Sequence, residues 1–158
     1  MATVRVQLEP FDLGREMASL TADRTDIGGI GCFVGVVRGE QNAAPLTALT
    51  LEHYPGMTER SLRAIVAEAE TRWNLLACTV IHRVGRLEPG DPIVLVLAAS
   101  AHRAPALEAT AFLIDWLKTR APFWKQEQFA NGAERWVEAR TDDDAAAARW
   151  ENAAPQPR

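Results

Sequence analysis

The segment Ile93 to Ala99, IVLVLAA, constrains the fold more than any other stretch of the chain. Seven apolar residues without alternation make a strand buried on both faces, and such a strand needs packing on each side of its sheet. Cys78 to Val84, CTVIHRV, precedes it across the turn sequence Glu88-Pro89-Gly90-Asp91, so the two strands are expected to pair as a hairpin. Ala98 to Glu127 then leaves the sheet for a helix, and Pro122 stops that helix just before Phe123-Trp124-Lys125.

The charges of this helix are unusual. At about 100° per residue Leu107, Ala111 and Ile114 share a stripe, and Lys118 projects into it. One reading is a terminal lysine that snorkels to water and complements the helix dipole; the other is a partly desolvated, reactive amine. His102 and Arg103 stand at the opposite end, where the dipole favours anions, and two cations there point to an anionic ligand. Sequence leaves the cap open between Ser100 and Ala104. The net charge is -4, yet residues 79–125 carry +2 and the remainder -6. That concentration suits a small anion and disfavours a nucleic acid, which would require a broad basic face.

Elsewhere the pattern is of alternating short strands and amphipathic helices. Thr3 to Leu8 alternates as a strand, and Asp12 offers an N-cap for a helix to about Leu20. Ile30 to Arg38 reads as a strand with Gly35 marking a close approach, and GEQNAAP beside Arg38 reads as a mobile loop. Leu46 to His53 is a further strand, and Tyr54-Pro55-Gly56 a turn. A helix follows from Thr58 to Trp73, with Leu62, Ile65, Val66, Ala69 and Trp73 inward. Asn131-Gly132 turns into a last strand, Arg135 to Ala139. One domain is expected over 1–140, and a frayed tail over 141–158 whose one large apolar anchor is Trp150. The order β α β β α β β α β, with hairpins, favours a single-domain α+β fold on a mostly antiparallel sheet.

Several functions are disfavoured. The Gly28-Gly29-Ile30-Gly31 run precedes no helix, so it is not a dinucleotide fingerprint. The histidines at 53, 82 and 102 lack ligand spacing, and His82 reads as structural; neither a metal nor a cofactor is expected. Cys32 and Cys78 lie in apolar strands and read as buried free thiols. The N-terminal segment lacks a signal-peptide core and no stretch approaches ~20 apolar residues, so the expected location is the cytoplasm and no membrane partner is expected.

Five segments in order, FVGVVR, LEHYPGM, IHRVGRLEPGD, SAHR and LKTRAPFWKQE, resemble the large, catalytic subunit of molybdopterin synthase over roughly Gly28 to Val137. The resemblance implies an α/β hammerhead fold and a homodimer within a heterotetramer. It implies a sulfurtransferase of molybdenum cofactor biosynthesis, converting cyclic pyranopterin monophosphate to molybdopterin. The sulfur would come from the C-terminal thiocarboxylate of a small ubiquitin-like subunit ending in Gly-Gly. Carried over residue by residue, Lys118 and Lys125 match the catalytic lysines, and Val36, Val37, Arg38, His102, Arg103, Gln126 and Glu127 match the substrate-binding positions. Gln126 stands where the family often has a second lysine, and the GAERWV segment is longer than its usual turn. The competing expectation is a non-catalytic module that binds a small anionic metabolite or a partner's C-terminal tail with the same cations.

Overall fold

A computed structural model describes residues 2–137 and 141–151. In chain order the elements are β1 (Ala2–Gln7), α1 (Leu13–Thr21), β2 (Gly29–Val36), β3 (Glu40–Gln41), β4 (Ala44–His53), α2 (Met57–Trp73), β5 (Ala77–Arg83), β6 (Gly85–Leu87), β7 (Pro92–Ser100), α3 (Arg103–Thr119), β8 (Phe123–Phe129), β9 (Glu134–Trp136) and α4 (Thr141–Ala148). They form an α+β fold in one domain, with two sheets where one was expected.

The first sheet has the order β1-β5-β7-β2, with β1 parallel to β5 and the remaining pairs antiparallel. The apolar run lies on β7, between β5 and β2, and is buried on both faces as its composition requires. On one face Cys78, Val80, Val96 and Ala98 meet α2 and α3 through Leu62, Val66, Ala109 and Leu113. On the other Ile81, Leu95 and Leu97 meet Leu20 of α1, with Phe11 and Met17 beside it. The Asp12 side chain accepts the Arg15 amide at 2.9 Å, so the expected N-cap of α1 is realised. No helix among the described residues is long and apolar enough to cross a membrane.

Helix α3 differs from its expected orientation. Its buried residues are Ala106, Ala109, Thr110, Phe112 and Leu113, while Leu107 is 60% exposed and Ala111 and Ile114 only half-buried. The stripe inferred from the larger side chains is thus its outer shoulder. Where α3 meets β2 its core face is made of small residues, because the helix lies almost on the backbone of that strand. A Cβ on Gly31 would come within 2.2 Å of Thr110 Oγ1 and 2.5 Å of the Ala106 carbonyl. The close approach assigned to Gly35 is therefore matched at Gly31, where helix backbone is the neighbour. The N-cap is His102, neither Ser100 nor Ala104, and its side chain makes no capping bond.

The second sheet runs β3-β4-β8-β9, and β6 also pairs with β4. Three of its strands were not foreseen. The GEQNAAP stretch is no loose loop: Glu40–Gln41 pairs back on Ala44 and Pro45 across Asn42 and Ala43, both at positive φ. The short β6 caps β4 through Leu87, which packs on Val37 and Leu51. Strand β8 is the most consequential. It follows α3 directly, and the Pro122 carbonyl before it accepts the hydroxyl of Thr58, buried at the start of α2. The last expected strand is present as Glu134–Trp136, and residues 138–140 lie outside the described ones.

The stretch expected to fray forms α4 over its first part, packed on α3. Trp150 sets its ring edge-on to Trp73 and Phe112, and its indole donates to Asp115 at 2.7 Å. Arg72 donates to the Trp150 carbonyl, Arg149 pairs with Asp115, and Arg120 with Glu151. This corrects the expectation for 141–151; residues 152–158 lie outside the described ones. Cys78 is buried as expected, but Cys32 is exposed, because β2 is the edge of its sheet.

Candidate functional site

The corner where α3 turns into β8 brings two amines to one cavity. Lys118 sits in the last turn of α3, and Arg120 caps the helix. On β8 the side chains alternate, so Phe123, Lys125 and Glu127 share one face and Trp124, Gln126 and Gln128 the other. The first face looks into a cavity of about 360 Å³, which Lys118 enters from the helix. Val36, Val37 and Arg38 close it from the end of β2, held there because the Val37 amide donates to Asp91 and the Gly90 amide to the Val37 carbonyl. Asp143 of α4 and Gln41 of β3 complete the polar lining, and Arg38 donates to Gln41 at 2.8 Å.

The electrostatics single out one of these groups. The Lys125 pKa is lowered from 10.5 to about 8, chiefly by burial and then by the neighbouring Lys118 charge, while Asp143 acts in the opposite sense. Lys118 itself is exposed. Of the two readings of Lys118, the exposed terminal lysine is the one its position matches, and the desolvated amine is Lys125, because a strand residue facing into a cavity loses more water than one on the last turn of a helix. Beneath it His82 is buried, stacked on Phe123 at 3.9 Å and 19°. Its Nδ1 donates to the Arg83 carbonyl at 2.8 Å. Burial, with Lys125 and Lys118 as additional causes, takes its pKa down to about 3, so the ring is neutral in ordinary conditions. Glu127 is buried but paired with Arg135 at 2.8 Å, so among the described residues Asp143 is the lining carboxylate that acts on Lys125. The arrangement has the charge to accommodate an anion and offers an amine able to lose its proton near neutral pH.

Not every expected residue joins this site. Gln126 points to the opposite face of the sheet, bonded to Glu134 at 3.2 Å, so its side chain is not part of the cavity wall. His102 and Arg103 are exposed at the far end of α3, about 22 Å from Lys118 at 1.5 Å per residue. Gln41, Phe123 and Asp143 line the cavity without having been expected to. One sequence signal bears directly on the site: the chain has only two lysines among its 17 basic residues, and both enter this cavity.

The architecture and the site together define an α+β protein with a cleft lined by paired amines. The family model described as MoaE protein matches residues 6–120, well over half of the chain. A molybdopterin synthase catalytic subunit from Mesorhizobium japonicum is 54% identical over 151 residues, covering 95% of this chain and 94% of that protein. The protein of the same name from Escherichia coli is 54% identical over 142 residues, covering 90% and 93%. Among solved structures, a molybdopterin biosynthesis MoaE protein from Burkholderia ambifaria superimposes with a TM-score of 0.81 at 50% identity, covering 96% of this chain and 99% of that one. The chain belongs to the MoaE protein family.

Proposed function

We propose that the chain is the catalytic subunit of a molybdopterin synthase, a cytoplasmic sulfurtransferase that converts cyclic pyranopterin monophosphate to molybdopterin. The single observation that carries this reading is the convergence of both lysines of the chain on one cavity, with the Lys125 pKa lowered to about 8. An ammonium near that value gives up or takes back a proton at physiological pH, as the carbon–sulfur chemistry of a dithiolene requires. Lys118, on the exposed last turn of α3, is placed to hold an anionic group beside it.

The sulfur has to come from another molecule. The Cys78 thiol is pushed up to about 12 by burial, and burial also raises that of Cys32. Neither is a low-pKa thiolate suited to carry a persulfide. A small ubiquitin-like partner ending in a Gly-Gly thiocarboxylate supplies the sulfur, its narrow tail entering the cleft toward the lysines. His102 and Arg103 can meet the substrate of this cleft only from a second copy of the chain, since their own helix carries them away from it. A homodimer inside a heterotetramer follows.

The test is incubation of the purified chain with the pterin substrate and thiocarboxylated donor, read by dithiolene formation. Product from the wild type, and none from the Lys125→Ala variant, supports the assignment. The competing reading, a binding module, keeps its ligand through charge alone; Lys125→Arg would then retain function, whereas proton exchange by an amine is lost with a guanidinium that stays charged.

A further inference from the structure

Strand β8 carries a second feature on the face turned away from the cleft. Trp124 lies opposite Glu52 of β4, and Trp136 of β9 lies opposite Gln126. Tyr54, just past the end of β4, sets its edge on Trp124, with centroids 4.9 Å apart and planes at 80°. With Glu52 and His53 these rings line an open depression of about 370 Å³. Tyr54 is 54%, Trp124 43% and Trp136 51% exposed. Three large rings clustered on one surface contribute little to the fold while exposed, and such patches with a polar rim mark interaction sites.

The charge around the rings is acidic. Glu52 is in the depression, and Glu134 shares the face of Trp136's neighbours, held by Gln126. Among the described residues the nearby basic groups face other partners: Lys125 lines the cleft, Arg135 pairs with Glu127, Arg86, which neighbours Thr50 on this face, pairs with Glu88 at 3.0 Å, and His53 lies 3.9 Å from Glu59. Aromatic faces are negative in their quadrupole, so the rings and carboxylates attract the same kind of ligand, a cation. A guanidinium fits better than an ammonium, being planar and weakly hydrated, able to stack on an indole while a carboxylate takes its edge. The depression is too open to enclose a free small molecule, which pockets commonly bury over most of its surface. A side chain presented by a larger body needs no such enclosure.

We propose that this aromatic, acidic face is a docking site for an arginine-bearing segment of a partner protein, separate from the cleft on the other side of β8. The test uses the full chain labelled at its tryptophan indoles and titrated with a capped Gly-Arg-Gly-Arg-Gly peptide, with the glutamine-for-arginine peptide as control. The expected result is a saturable shift of the Trp124 and Trp136 indole resonances with the arginine peptide alone, while those of Trp73 and Trp150, across the molecule, stay in place. Glu52→Gln, an isosteric surface change, should weaken this binding about three- to tenfold. Absence of saturation, an equal response to the glutamine peptide, or indifference to Glu52→Gln would overturn the proposal. So would shifts of the same two indoles on dilution without peptide, which would assign the face to contact between copies of the chain.

Discussion

The two faces of β8 differ in charge and in hydration. On one, Lys125 is held in a cavity against a second amine, with a neutral, buried imidazole stacked under Phe123. On the other, Trp124 stands in water beside Glu52. Successive side chains only a few ångströms apart thus have opposite charge environments and opposite degrees of hydration, because the pleat turns each in a different direction. The lesson is that reactivity at this corner comes from orientation. A lysine moved by one residue along β8 would be a solvated surface cation.

The largest effects should fall on the cleft face. Lys125→Ala should cut dithiolene formation by about 10²–10⁴-fold, the range usual for loss of a general acid–base group, with the fold intact by circular dichroism. Gln128→Ala on the outer face should leave the rate within about twofold. Comparable losses from both would dissolve the contrast.

The next effect concerns stability and pH. Folding lowers the Lys125 pKa from 10.5 to about 8, so between these values the unfolded chain binds more protons and this residue's contribution to stability rises with pH. Below about 8 the cost of charging the amine is fully present. Lys125→Met should therefore stabilise the protein near pH 7, by at most roughly 3 kcal/mol, an advantage that fades toward pH 10.5. Denaturant melts at pH 7 and 10.5 measure it, and a variant less stable at pH 7 would show that the amine is not desolvated.

Trp150→Ala tests the support behind the cleft face. Loss of its packing on Trp73 and Phe112 and of its bond to Asp115 should lower stability by about 2–3 kcal/mol, seen as a fall of several degrees in Tm. Undocking α4 would also withdraw Asp143 from the cavity. The smallest effect belongs to the outer face: Trp136→Ala should change stability by less than about 1 kcal/mol, since its ring is half in water. A larger loss would mean that the ring is a structural element.

Much of the scaffold was legible because apolar periodicity carried it. The unbroken run of β7, the stripe of α2 and the Asp12 cap are local signals that tertiary packing reinforced. Strand β8 was not legible, since FWKQEQF has a polar middle and faces a cavity on one side and water on the other. The core face of α3 was misjudged because side-chain size pointed to Leu107, whereas contact with β2 selects Ala106, Ala109 and Thr110. In the site, Lys118, Lys125, Arg38 and Glu127 were identified in advance, and the structure brings them together. The stack of His82 on Phe123 joins residues 41 positions apart, and the entry of Asp143 depends on how α4 docks; neither has a local signature.

The most direct test of the lysine pair is a titration of the chain carrying [13Cε]lysine, followed by nuclear magnetic resonance. With two lysines in the sequence there are two resonances, assigned by Lys118→Ala. Lys125 should titrate near pH 8, and its midpoint should rise in the Lys118→Ala variant, where the neighbouring positive charge is gone. A Lys125 midpoint at about 10.4, the value of a free lysine, unmoved by that substitution, would contradict the account.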